Sequence, residues 1–206
     1  MSPNNTPDSP PNNLNDLLKR RRMVRNYQER TVDPEMIKSI LEQSRRSPSA
    51  GHSQGVSYVV LTQAERRRDV AALAGEPAYA ERGFPPWLSR APVHIVLCVD
   101  PEAYHARYAD SDKSAARSSR EWPVPYWHVD AGASLMLLLL TAVERGLAAG
   151  FLGIHNLPGL QSLLGLPASV EVIGLVTLGY AAPDRRSASL DRGWKALDQV
   201  VHWEGW

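Results

Sequence analysis

The sequence predicts a single α+β domain, a sheet flanked by helices. Helical and strand-like segments are mixed along the chain. The run Val93–Val99 is apolar on both faces, which predicts an interior strand. The stretch His128–Arg145 is apolar nearly all round, which predicts a helix at the centre of the domain. No internal repeat or interdomain linker is visible, and 206 residues suit one domain. Residues 1–13, rich in Pro, Asn and Ser, read as a disordered tail without the charge or apolar stretch of a signal peptide, leaving 14–206 as the domain.

The elements follow in order. Leu14, Leu17 and Leu18 have helical spacing, so Leu14–Arg22 reads as a short helix whose last turn carries Lys19 to Arg22. A second helix opens at Asp33-Pro34, an N-cap followed by a proline suited to the first turn, and ends near Ser47-Pro48. Met36, Ile37, Ile40 and Leu41 form its buried stripe. Val56–Leu61 is a β-branched run and reads as a strand, and Gln63–Leu73 as a helix with an exposed arginine face. The polar and aromatic stretch Tyr104–Tyr126 lacks a clear period and reads as a long loop or lid. After the central helix, Gly146–Gly153 reads as a glycine-spaced turn and Leu157–Leu164 as a short helix. Val170–Tyr180 is the last core strand, and Val200-Val201 gives the C-terminal tail a strand-like piece.

Composition excludes several classes. A formal net charge of +1 gives no bulk attraction to nucleic acid or membrane. The apolar run Ala131–Val143 is shorter than the ~20 residues that span a bilayer. One cysteine, Cys98, precludes an intrachain disulfide, suits a cytoplasmic location, and sits in a strand where it reads as a small buried hydrophobe. The six histidines are scattered without metal-ligand spacing, so no metal is expected, and His94 reads as a core histidine. The phosphate-binding glycine loops and the G-x-S-x-G nucleophile turn are absent.

Three segments could carry chemistry. Arg21-Arg22-Met23-Val24-Arg25 offers guanidinium groups that fork onto phosphate oxygens, although alone it reads first as a solvated helix end. The stretch Ser47 to Gln54, with Pro48, Ser49, Ala50, Gly51 and His52, is a small polar loop that offers backbone donors to the edge of a heterocycle, or is simply a helix-to-strand connection. Gly150-Phe151-Leu152-Gly153 permits close backbone approach to a ligand, or simply ends a helix.

In this order the segments resemble the nitroreductase superfamily of FMN enzymes. The resemblance rests on R-R-x-x-R from Arg21 and P-S-x-x-x-x-Q from Pro48. It rests also on Asp130-Ala131-Gly132-Ala133 at the start of the long helix, Leu164 to Pro167, Leu178-Gly179-Tyr180, and the closing Leu197 to Trp203. It implies a mostly antiparallel sheet flanked by helices in an intertwined homodimer, with two FMN sites at the interface that each touch both chains. By that resemblance Arg21, Arg22, Met23 and Arg25 hold the phosphate and ribityl chain. Pro48, Ser49, Ala50 and Gln54 meet the ring edge, Gly150, Phe151, Leu152 and Gly153 face the isoalloxazine, and Arg192 or Lys195 reaches the phosphate from the C-terminal side. The implied reaction passes electrons from NADH or NADPH, with a deazaflavin as another donor, to a small aromatic or conjugated acceptor. No catalytic side chain is required. Tyr104, Tyr108, Trp122 and Trp127 would line the substrate pocket, or simply pack a loop.

The chain departs from the family pattern at Met23, often a polar residue, at His52, often asparagine, and at Gly55-Val56, usually Pro-Trp. Its tail, Gly193-Trp194 and Glu204-Gly205-Trp206, is similar to the branch that breaks FMN down to dimethylbenzimidazole for cobalamin. That branch needs an acid where Met23 stands and a serine where Gly153 stands. A non-catalytic flavin-storage protein is the competing class.

Overall fold

The computed structural model describes residues 13–113, 118–185 and 187–206. The expected tail, apart from Asn13, lies outside them, and Asn13 is the side-chain N-cap of α1 (Leu14–Arg20), accepting from the Asp16 amide. A four-stranded antiparallel sheet in the order β1-β2-β4-β3 forms the middle layer. Its strands are β1 (Val56–Leu61), β2 (Val93–Val99), β3 (Ala148–Gly153) and β4 (Glu171–Gly179).

Helices cover both faces. On one side α2 (Pro34–Ser44) and α6 (Tyr126–Glu144) pack Ile37, Ile40, Leu138, Leu139 and Ala142 onto Val93, Ile95, Val176 and Leu178. On the other, α3 (Ala64–Leu73) and α7 (Leu160–Leu164) pack Val70 and Leu160 onto Val96, Cys98 and Leu175. The alternation along β2 delivers successive side chains to opposite layers, so the whole strand is buried. Each such side chain contributes about 1.5–3 kcal/mol, which makes β2 the spine of the core. Cys98 belongs to it, and burial pushes its thiol up to about 11. His94 donates Nε2 to the Leu88 carbonyl at 2.8 Å, and burial pulls the imidazole down to about 4, so it is a neutral core residue.

Several expected elements are corrected. The glycine-spaced turn is strand β3, with only Gly146 in the left-handed region. The expected long loop from Tyr104 begins inside α5 (Pro101–Tyr108), with 3-10 turns at Ser111–Lys113 and Ser119–Glu121, while Arg117 lies outside the described residues. The signal for α5 is Asp100-Pro101-Glu102, where the Asp100 side chain accepts from the Glu102 amide. The same tripeptide caps α2, where Asp33 accepts from the Glu35 amide at 2.9 Å. A further short helix, α4 (Glu76–Glu81), carries the buried Glu76 carboxylate that accepts from the Leu88 and Ser89 amides.

Val200-Val201 forms no strand. Val200 ends the 3-10 turn Leu197–Gln199, because a strand needs a neighbour to complete its hydrogen bonds and the segment pairs with none among the described residues. Central helix α6 buries only one side. Asp130, Ala131, Ser134, Leu138 and Thr141 face inward, while Val129, Gly132 and Met136 are exposed. By length and composition this 19-residue helix could cross a membrane, but its packing on the sheet makes it a core helix.

Candidate functional site

Of the arginine segment only Arg21, the C-cap of α1, belongs to a helix end. Helix α1 stops at Arg20, and residues 21–28 run extended along the edge of β3 and across the end of β4. Met23 bridges Ala149 in parallel, and the Val24 amide donates to the Ala149 carbonyl at 3.0 Å. Tyr27 is buried, its hydroxyl donating to the Val24 carbonyl at 3.0 Å and sharing a 2.7 Å bond with the Thr177 hydroxyl. Burial pushes its phenol far above the ordinary range, so it stays protonated. Asn26 donates to the Pro183 carbonyl and the Arg25 amide to the Asp184 carboxylate at 2.7 Å.

The backbone is thus pinned, and the guanidinium groups project from it. Among the described residues none of Arg21, Arg22 and Arg25 has a carboxylate within ion-pair distance, and Arg25 stands 5.9 Å from the Trp87 ring. Guanidinium groups on a fixed backbone, without an ion pair among the described residues, are donors that phosphate oxygens can accept from. The chemistry of this donor set therefore fits the phosphate end of FMN.

The same edge brings Ala149 and Gly150, at the start of the Gly150–Gly153 stretch, against the arginine segment. Gly150 itself is buried, and a Cβ there would lie 2.5 Å from the Val24 carbonyl oxygen. This glycine serves the approach of the arginine segment rather than that of a ligand, which corrects its expected role. Phe151, Leu152 and Gly153 are half-buried.

The loop from Pro48 to Gln54 is at the diagonally opposite corner of the sheet. It feeds β1, whose Val56 pairs Val99 and so lies in line with Glu171, whereas Met23 lies beside Ala149, in line with Leu178. From Glu171 to Leu178 is roughly 23 Å along the strands, and β1 to β3 is roughly 14 Å across them. One chain therefore does not bring the arginines and this loop onto the same flavin.

The loop is also not the free row of amide donors that its composition suggests. The Ala50 amide donates to Asp130, the His52 amide to the Ser49 carbonyl, the Ser53 amide to the Ala50 carbonyl and the Gln54 amide to the Ser49 hydroxyl. The exposed side chains of His52 and Gln54 are its outward polar groups. Gly51, His52 and Gln54 all have positive φ, at 61°, 59° and 53°. For the two non-glycine residues this conformation costs energy and persists only when the surroundings impose it.

Tyr104 does not line a pocket. It is fully buried and donates to Asp130 at 2.8 Å. Tyr108, Trp122 and Trp127 pack on one another, with Tyr108 and Trp122 edge to face at 4.6 Å and Trp122 stacked with Trp127 at 6.3 Å. The Tyr108 ring also presses on Gly51, where a Cβ would sit 2.6 Å from it. These aromatics support the loop from behind. Asp130, which sequence reasoning placed only at the start of the long helix, and Arg107, expected as charge in a segment covering the pocket, meet the loop backbone directly. Arg192 and Lys195 are exposed on a C-terminal segment whose Trp194, Leu197 and Trp203 are 95%, 74% and 88% exposed.

A sequence profile of the nitroreductase family matches residues 18–180. The chain is 27% identical over 185 residues to the FMN reductase (NAD(P)H) of Bacillus subtilis, covering 87% of this chain and 70% of that protein. It is 26% identical over 196 residues to the chloronitrobenzene nitroreductase of Comamonas testosteroni, covering 82% and 86%. The fold is that of a nitroreductase family protein from Streptococcus pneumoniae, with a TM-score of 0.70 at 19% identity over 92% of this chain and 99% of that one.

Proposed function

The chain belongs to the nitroreductase family, and from that premise we propose that it is an FMN-dependent oxidoreductase taking electrons from NADH or NADPH and passing them to a small aromatic or conjugated acceptor. The observation that carries this reading is the pinned arginine segment on the β3 edge, whose guanidinium groups make no ion pair among the described residues. Arg21, Arg22 and Arg25 hold the phosphate, with Arg192 or Lys195 as a further cation. Phe151–Gly153 and the loop residues Pro48, Ser49, Ala50 and Gln54 bound the ring. When bound, FMN supplies hydride acceptance from the nicotinamide and onward delivery of electrons. The protein binds the flavin, orients it and keeps one face open for donor and acceptor in turn. The names of the Bacillus and Comamonas relatives support a nicotinamide donor and an aromatic acceptor. Met23 and Gly153 leave neither an acid nor a hydroxyl at the two positions on which flavin cleavage depends, which favours reduction.

FMN-loaded protein mixed anaerobically with NADH or NADPH should bleach at its flavin band and regain colour with a nitroaromatic acceptor. Bleaching by neither nicotinamide nor a reduced deazaflavin would leave a flavin-storage protein instead.

We also propose that the working unit is an intertwined homodimer. The two half-sites at opposite corners become one site when a second copy brings its loop to these arginines. Exposed Val129 and Met136 on α6, with Leu14 and Leu18 on α1, supply the apolar contact face. The exposed C-terminal segment finds in a second copy the strand neighbour that it lacks among the described residues of its own. A groove of about 430 Å³ beside edge strand β1, lined by Ile37, Leu41, Tyr58 and Val60, is open to it. Sedimentation of the FMN-loaded protein over a concentration series should show a dimer throughout, and a stable flavin-bound monomer would refute the shared site.

A further inference from the structure

We propose that Asp130 is a positioning residue for the flavin ring, acting through the backbone of loop 49–54, with Tyr104 as its second anchor. This rests on the reading that the loop meets the ring. Asp130 is 6% exposed in the first turns of α6, and a single oxygen, Oδ2, accepts from both the Ala50 amide and the Tyr104 hydroxyl at 2.8 Å. Burial, and then the bond to Asp130, push the Tyr104 phenol upward, so it remains a donor. Among the described residues no cation lies within ion-pair distance of Asp130. A buried carboxylate costs free energy that simple fastening of a surface loop does not demand. What it holds is a loop in an unfavourable backbone conformation.

The other side of the loop is fixed as firmly. Arg107 donates Nε to the Gly51 carbonyl at 2.9 Å, and its guanidinium is itself locked by two 2.7 Å bonds to Asp112 and one to Asp110. The Tyr104 ring closes over Gly55, where a Cβ would lie 2.5 Å from it. Because the Ala50, His52, Ser53 and Gln54 amides are engaged within the loop or on Asp130, the directions of the His52 and Gln54 side chains follow from the backbone that Asp130 fixes. The segment 101–113 is thus the loop's buttress rather than a lid.

The test titrates flavin-free full-length protein with FMN and with riboflavin, which lacks the phosphate, following flavin fluorescence and the visible band of the bound flavin. Asp130→Asn should weaken both ligands by the same factor, about tenfold, as expected for one lost hydrogen bond to a charged group, and should shift the band. Tyr104→Phe removes only the second anchor and should give a smaller loss, again equal for both ligands. It decides the matter if the Asp130 variant does not fold. Unchanged affinities and an unchanged band in a folded variant overturn the proposal, since a merely structural role lowers stability and leaves the bound flavin's spectrum alone. Wild-type protein that binds FMN no better than riboflavin overturns the arginine assignment instead, and the variant ratios still decide Asp130. Wild-type protein that binds neither ligand overturns the flavin reading and this proposal with it.

Discussion

Gly150→Ala is expected to destabilise the protein by roughly 2–3 kcal/mol, the cost of forcing a methyl group into a closed contact. The new Cβ would lie 2.5 Å from the Val24 carbonyl oxygen, 2.9 Å from the Thr177 hydroxyl and 3.0 Å from the Trp87 ring. The Val24 carbonyl cannot retreat cheaply. It accepts from the Tyr27 hydroxyl, and its own residue's amide is bonded to Ala149. For a chain of this size the loss corresponds to a melting point lower by about 5–10 °C. Because the contact that breaks is the one seating residues 21–25, FMN affinity should fall with it. A melting curve superimposable on that of the parent protein would mean that this seat is not under the constraint described.

Arg25→Ala should weaken FMN binding by about 1.5–3 kcal/mol, on the order of 10- to 150-fold in Kd. The effect should be confined to the phosphate. Riboflavin should bind the variant as it binds the parent, and stability should hardly change, because the Arg25 side chain is exposed and its nearest aromatic neighbour is 5.9 Å away. Paired titrations of the two flavins distinguish this from general damage. Equal losses for both would show that Arg25 supports the segment rather than the phosphate.

Much of the fold was legible because its signals are local. Asp33-Pro34-Glu35 marks a helix start through bonds within a few residues, and the apolar run Val93–Val99 marks a strand buried on both faces. The same local signal at Asp100-Pro101-Glu102 was present, but the polar and aromatic residues after it have no clear helical period, so α5 read as loop. Strand β3 was hidden for a different reason. Ala148, Ala149, Gly150 and Gly153 are poor strand formers, and at Gly150 the missing side chain is what lets the arginine segment approach the strand.

The candidate site was legible as an inventory and illegible as an arrangement. Arg21, Arg22, Arg25, Ser49 and Gln54 could be named from motif order. Nothing near them in the chain tells that the Ala50 amide is spent on Asp130, 80 residues away, or that the buried aromatic Tyr104 supports a loop instead of lining a pocket. Those facts depend on the pairing of remote segments, which a local period does not encode.

The sequence by itself determined the α+β class, strands β1, β2 and β4, the long central helix and the presence of a basic cluster, because burial of each element on its own face is written in its residue spacing. Only the tertiary structure decided what the basic cluster is. It lies beyond the helix on an extended segment tied to residues 180–184, with the Arg25 amide bonded to Asp184, 159 positions later. It also decided that the cluster and the Pro48–Gln54 loop occupy opposite corners of one sheet. Strand order and register are set by long-range hydrogen bonding and packing, so the step from a list of candidate residues to two separate clusters belongs to the fold.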